Sequence, residues 1–250
     1  MMDPWIILLA AIVGYLLGSI SFARLVSRLV SPGREVGNIK VQIPGTDEYV
    51  NSNAMSATTV RLEFGAKYGC LVGIFDIVKA LLPALVFRLV YPDSTAYLAA
   101  AGMAVVGHNW PVYYRFKGGR GLSSVLGGFL VMDWLGTLIT NIIGFLIGFP
   151  PRNMLVITGA GTVLMIPWIW LRTHNWILLV YTVLMNVIFW GSMMPELRNY
   201  AHLVKEGKLD QLSRARQIHV IHEDGTERVD TFTLQSLVDR IKDRFSGKKA

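Results

Sequence analysis

The chain has 250 residues, 52% of them hydrophobic and 16% charged, with a mean hydropathy of +0.44 and a formal net charge of +7. Soluble domains carry ~25% charged residues, so an ordinary water-soluble fold is excluded for the bulk of the chain. The single Cys70 excludes an internal disulfide, and no residue pattern calls for a metal or a cofactor. The cations lie beside apolar runs without a nucleic-acid motif, which directs the positive charge at lipid headgroups and anionic substrates and away from nucleic acid.

Apolar stretches run over residues 5–26, 69–91, 94–107, 121–149, 154–171 and 174–194, and most match the ~20 residues a helix needs to cross a bilayer. The first lacks the basic start and small-residue cleavage site of a signal peptide, and reads as a retained helix. The second carries Asp76 and Lys79 three residues apart on one helical face. Facing lipid they would be costly, so they are expected to face the bundle as an ion pair, or to touch substrate. The stretch 121–149 is too long for one ordinary span, and Asp133-Trp134 near its middle predicts two short helices joined by a tight turn. Seven spans follow. They place 21 of the 24 Lys and Arg on one side, in the loops 24–68, 108–120 and 150–153 and in the C-terminal tail. By the positive-inside rule that side is cytoplasmic, with the N-terminus outside and the C-terminus inside. The expected fold is thus an all-α integral membrane protein of seven transmembrane helices, residues 1–207, followed by a cytoplasmic extension, residues 208–250. In the extension, RQIHVIH and RVDTFT alternate around Asp224-Gly225 as a β-hairpin. TLQSLVDRIKDRF then reads as an amphipathic helix that packs on the hairpin or lies on the inner leaflet. His219 and His222 are expected on opposite faces of their strand, which does not make a metal site.

Between the third and fourth spans stands GHNWPVYYRFKGGRGLSS, residues 107–124. Irregular backbone next to lipid is tolerated where it lines a cavity or binds something. Gly118, Gly119 and Gly121 would let backbone N–H groups converge on one point, the helix that starts near Leu122 would add its N-terminal dipole, and Lys117 and Arg120 would add formal charge. Ser123 and Ser124 stand ready to donate hydroxyls. A phosphate fits that chemistry. A tight cytoplasmic turn bearing positive-inside cations fits the same composition. His108 has no Ser, Cys or carboxylate at a spacing that makes a triad, so it reads as a residue that positions the loop or transfers a proton.

Gly107, His108, Pro111, Phe116, Lys117, Gly118, Gly119, Arg120 and Gly121 match, without a gap, the second signature of the bacterial acyl-phosphate-dependent glycerol-3-phosphate acyltransferases, the PlsY family, which this chain resembles over about residues 5–205. GYLLGSISFARL at 14–25 and GIFDIVKALLP at 73–83 are similar to the family's first two helices. The resemblance implies a multi-pass protein of the bacterial inner (plasma) membrane with acyl-phosphate and glycerol 3-phosphate as substrates and no cofactor. The implied product is lysophosphatidic acid, for phospholipid synthesis. Acyl-phosphate would bind at Gly118, Gly119, Gly121, Thr58 and Ser123. Lys117, Arg120, His108 and Ser52 would serve catalysis, and Arg34, Arg61 and Asn199 would hold glycerol 3-phosphate.

The family's first signature is altered here. Residues 33–61 keep Arg34 and Gly37 at the opening and Ala57-Thr58 near the close, but carry an insertion of about fifteen residues. NSNAMS stands where GSGNPG is expected, and Arg61 sits one position early. In the third signature, residues 196–208, Asn199 and Leu203 keep register and Glu196 replaces a histidine. A carboxylate beside a phosphate site repels the ligand unless a cation adjoins it, and Arg198 is the expected cation. Two further readings stay open: a relative using another hydroxyl acceptor, and a non-catalytic membrane protein that binds acyl-phosphate or anionic lipid and recruits a partner, of unknown kind, through its tail.

Overall fold

A computed structural model describes residues 3–32, 37, 39–43, 46, 49–52, 54–150, 153–208, 215, 217–221, 225–230, 235, 236 and 239. Two helices occupy the first apolar stretch where one was expected. α1, Pro4–Gly18, starts on Asp3, whose carboxylate accepts from the Trp5 amide, and α2, Phe22–Val30, starts on Ser21. The break is chemical. The Ser19 hydroxyl donates to the Tyr15 carbonyl at 2.8 Å and Ser21 caps the next helix, so local hydroxyls take over from the helical ladder.

After α2 come strands β1, Ile39–Gln42, and β2, Tyr49–Ser52. Then follow α3, Ala57–Phe64, α4, Ala66–Val90, and α5, Ala96–Asn109. α1 packs on α5 through small residues. A Cβ at Gly14 would stand 2.1 Å from the Ala100 carbonyl oxygen, and one at Gly18 would stand 2.2 Å from that of Ala104. Glycines four apart let two apolar helices approach closely enough for dispersion to hold them where no hydrophobic effect separates helix from lipid.

α6, Leu122–Gly148, is interrupted at Asp133, whose φ of −154° and ψ of 91° are not helical. Its first half packs on α4, with Gly127 against the Ile77 carbonyl, and its second half packs on α7, Met154–Thr173, with Gly144 against Gly161. Asp133 caps the second half by accepting from the Gly136 amide at 2.9 Å. It also accepts from Trp168 and pairs with Arg172 at the far end of α7. α7 and the second half of α6 therefore run antiparallel. α8, Trp176–Ser192, closes the bundle, its Phe189, Met185 and Tyr181 joining Phe129, Met165 and Ile169 in the main apolar core. α9, Met194–Lys205, leaves α8 at a bend of 61°. Among the described residues, four helices or helix pairs are long and apolar enough to cross a membrane singly (4–30, α4, α6 and 155–173), and a fifth span results if α8 and α9 are taken together.

The all-α expectation misses a feature of the loops between helices. The predicted hairpin is present as β3, Ile218–Ile221, and β4, Glu227–Asp230. It does not stand apart from the first half of the chain. β3 pairs antiparallel with β1, giving one four-stranded sheet in the order β2-β1-β3-β4. Ile39 and Val220 of the sheet pack with Leu62 of α3. Arg228 donates to the Glu63 carbonyl at 2.7 Å, and Asp230 pairs with Arg61 at 2.6 Å. The insertion in the first signature is thus the strand pair on which the tail hairpin builds. Of the amphipathic helix expected after the hairpin, Gln235, Ser236 and Asp239 are helical and the rest lies outside the described residues.

Candidate active site

α5 ends at Asn109, and Pro111 with the 3-10 turn Val112–Tyr114 reverses the chain. Arg115 and Phe116 then adopt positive φ of 52° and 61°, a conformation costly for residues with a Cβ. Arg24 of α2 holds this bend from outside, stacking 4.5 Å over the Tyr114 ring and donating to the Lys117 carbonyl at 2.8 Å.

Glycines are required next because the loop lies directly on α5. A Cβ at Gly118 would fall 2.1 Å from the His108 carbonyl oxygen, and a Cβ at Gly119 would fall 2.1 Å from His108 Nε2. The Gly119 amide donates to the His108 carbonyl at 3.0 Å, and the Gly118 carbonyl accepts from the Met55 amide at 3.2 Å. Of the amides expected to converge on a ligand, that of Gly119 is therefore used internally. Those of Arg120 and Gly121 have no backbone acceptor among the described residues. Gly121, with φ of +86°, starts α6.

Two helix starts meet at this loop. Ser56 caps α3, accepting from the Thr59 amide at 3.3 Å. Gly73 of α4 underlies both first turns: a Cβ there would stand 3.7 Å from Ala57 Cβ and 4.0 Å from Ser123 Oγ. Helix N-termini present unpaired N–H groups and positive dipole ends, and two side by side favour an anion more than either alone.

Beneath the loop, Ser19, Ser21, Met55, Asp76, Lys79 and His108 line a narrow gap. The ion pair foreseen between Asp76 and Lys79 is there at 2.8 Å, and both side chains are buried. The pair has two further partners that the sequence did not disclose. Lys79 Nζ donates to the Ile20 carbonyl at 2.8 Å, which fastens the break between α1 and α2, and His108 Nδ1 lies 3.5 Å from Asp76 Oδ1. His108 thus links the buried charges to Gly119 above it.

The remaining predicted site residues divide. Lys117 is exposed at the bend, Ser123 half-buried in the first turn of α6, and Thr58 exposed in the first turn of α3. Arg120 departs from the expected role of a cation open to a phosphate: its guanidinium clamps Glu196 of α9, with Nε and Nη2 at 2.8 and 2.6 Å from Oε1. The cation paired with Glu196 is Arg120 and not the expected Arg198, which is exposed. Asn199 lies one turn beyond Glu196 on α9, half-buried. Arg61 is engaged by Asp230, and Ser52 belongs to β2, where it is the register partner of Ile39. Arg34 lies outside the described residues. The structure adds Asn109, buried with both amide atoms unpartnered among the described residues and in contact with Gly121. A polar residue at the end of an apolar helix was its only sequence signal.

The family model for glycerol-3-phosphate acyltransferase matches residues 8–201. Among curated proteins, the glycerol-3-phosphate acyltransferase of Mycoplasma mycoides subsp. mycoides is 33% identical over 171 residues, covering 65% of this chain and 62% of the relative. That of Mycoplasma capricolum subsp. capricolum is 34% identical over 171 residues, covering 65% and 61%. The chain spans less than two thirds of the length of these relatives. Among solved structures, the glycerol 3-phosphate form of PlsY, an integral membrane glycerol 3-phosphate acyltransferase, superposes with a TM-score of 0.66 at 24% identity. The match covers 81% of this chain and 93% of that one, and the lysophosphatidic acid form matches equally. This likeness concerns the fold.

Proposed function

The chain belongs to the glycerol-3-phosphate acyltransferase family, and from that premise we propose that it transfers a fatty acyl group from acyl-phosphate to glycerol 3-phosphate, releasing phosphate and lysophosphatidic acid. The observation that carries this reading is the Gly-rich loop seated on His108 where the starts of α3 and α6 meet. It supports a phosphate site at the edge of an apolar bundle.

An acyl-phosphate is a mixed anhydride with a good leaving group, so the transfer needs no enzyme nucleophile. It needs the two substrates held in line and the charge on the departing phosphate stabilised, and positioning of this kind supplies ~7–11 kcal/mol. The donor phosphate lies against the amides of Arg120 and Gly121, with Lys117, Thr58 and Ser123 around it. Gly118, Gly119 and His108 fix the loop's shape. The acyl chain runs between helices, and the acceptor enters from the cytoplasmic side toward Asn199 and Arg61. As the acceptor hydroxyl bonds to the acyl carbon, the bond from that carbon to the phosphate oxygen breaks and the hydroxyl proton leaves on the released phosphate.

In the membrane the break at Asp133 supports two crossings by α6, which with α1–α2, α4, α5, α7 and α8 makes seven. The basic loops support a cytoplasmic C-terminus, and the bacterial relatives support the plasma membrane. Residues 1–207 carry the chemistry, and residues 208–250 extend the cytoplasmic surface. Purified protein given acyl-phosphate and labelled glycerol 3-phosphate is expected to form lysophosphatidic acid, with Lys117→Ala and Gly119→Leu sharply slower. A folded parent that forms none refutes the reading.

A further inference from the structure

We propose that Glu196 receives the hydroxyl end of the acceptor, which makes it the residue that sets acceptor choice at this site; the inference rests on the acyl-transfer reading above. Three observations converge on it. First, the Glu196 carboxylate is oriented: Arg120 contacts Oε1 through both Nε and Nη2, and the Ser192 hydroxyl donates to the Arg120 carbonyl at 2.7 Å, which fixes the junction of α8 and α9 against the loop. Second, Oε2 is buried and has no hydrogen-bond partner among the described residues. A buried carboxylate oxygen without a donor is costly and calls for one. Third, the carboxylate adjoins the loop assigned to the donor phosphate, because Arg120 stands between Gly119 and Gly121.

The chemistry selects the group that fills the vacant lone pairs. A carboxylate accepts and does not donate, and it repels a phosphate at that position. An ammonium would leave the site with excess positive charge, since Arg120 already neutralises Glu196. A hydroxyl donates one hydrogen bond and leaves the pair neutral. The reacting hydroxyl must also lie ~3–3.5 Å from an acyl carbon that is itself bonded to the loop-held phosphate, and Glu196 is tied to that loop through the Arg120 guanidinium. The acceptor's phosphate then points away from Glu196, toward the cytoplasmic cations.

Glu196→Gln retains the size of the side chain and loses its charge, and Glu196→Ala removes the hydrogen bond altogether. The test is steady-state acyl transfer at varied glycerol 3-phosphate and varied acyl-phosphate, with calorimetric binding of glycerol 3-phosphate in the presence of a non-reactive acyl phosphonate as a second readout. In both variants the acceptor KM is expected to rise about tenfold, the loss of one hydrogen bond to a charged group, with the donor KM within twofold of the parent. Acceptor KM and affinity within twofold of the parent in both variants, together with lower thermal stability, would reduce Glu196 to a dock for α9 and overturn the proposal. Tighter acceptor binding by Glu196→Gln would also overturn it, since the carboxylate would then be repelling the phosphate. Should the parent bind glycerol 3-phosphate without turnover and the variants bind it tenfold more weakly, the Glu196 assignment stands and the acyl-transfer reading fails. Should the parent neither turn over nor bind it, both fail.

Discussion

The loop at 107–124 and the four-stranded sheet are built in opposite ways. The loop is continuous in sequence. Its glycines touch the helix that leads into it, and side chains from other elements brace it: His108 reaches Asp76, Arg24 reaches the Lys117 carbonyl and Arg120 pairs with Glu196. The sheet joins residues far apart, with Lys40 opposite Ile221 and Arg61 paired to Asp230. A loop packed directly on its own helix tolerates no added atom, whereas a sheet assembled from distant strands tolerates insertion and extension, because the cost of closing a long loop rises slowly with its length. The loop keeps its signature unbroken, and the insertion and the tail have met in the sheet.

The most damaging change should be on the loop. Gly119→Ala sets a methyl group 2.1 Å from His108 Nε2 and 2.9 Å from the Met55 carbonyl oxygen, so acyl transfer is expected to fall at least ~100-fold, as when a positioned group moves by an ångström. Gly191→Ala, which meets nothing within 4 Å, is the control and should leave the rate within twofold. Comparable losses in both would break the contrast between a packed loop and a tolerant surface.

Next in size is the buried pair beneath the loop. Asp76→Asn strands the Lys79 ammonium, and removal of one partner from a buried ion pair costs ~3–5 kcal/mol. Thermal unfolding in detergent should show a large drop in Tm, and the double variant Asp76→Asn with Lys79→Met should recover part of it. A double variant worse than the single would mean the two side chains act separately.

The sheet should yield less. Arg61 and Asp230 are part-buried, with side-chain exposures of 25% and 9%, and their hydrogen-bonded pair is worth ~1 kcal/mol after solvent screening. Asp230→Asn is expected to lower Tm by a few degrees and to speed amide exchange in β4, with exchange in α5 and α6 unchanged. Exchange spreading into the bundle would show that the tail hairpin is part of the membrane core and not an addition to its surface. Smallest is Thr58→Ser, an exposed hydroxyl kept in place, for which the acyl-transfer rate should stay within about twofold.

The helices and the loop were legible because apolar length and glycine spacing are local signals. The break at Asp133 could be placed because a carboxylate inside an apolar run must be satisfied, and Gly136, Trp168 and Arg172 satisfy it. The α1–α2 break was missed because Ser19 and Ser21 are small and compatible with an apolar helix until their hydroxyls are seen to bond. The Glu196–Arg120 clamp was missed because it spans 76 positions, and no local period encodes it. Pairing of β1 with β3 had the same obstacle: each strand is four residues long, and neither names its partner.

The claim on which the rest stands is that the loop between α5 and α6 holds the donor's phosphate. Binding of a non-reactive acyl phosphonate to the purified protein, without acceptor, tests it most directly. The parent should bind, inorganic phosphate should compete, Lys117→Ala should weaken binding at least about tenfold by the loss of a charge-assisted contact, and Gly119→Ala should weaken it as much by forcing the loop off His108. Equal affinity in the parent and both variants, at unchanged thermal stability, would place the donor elsewhere.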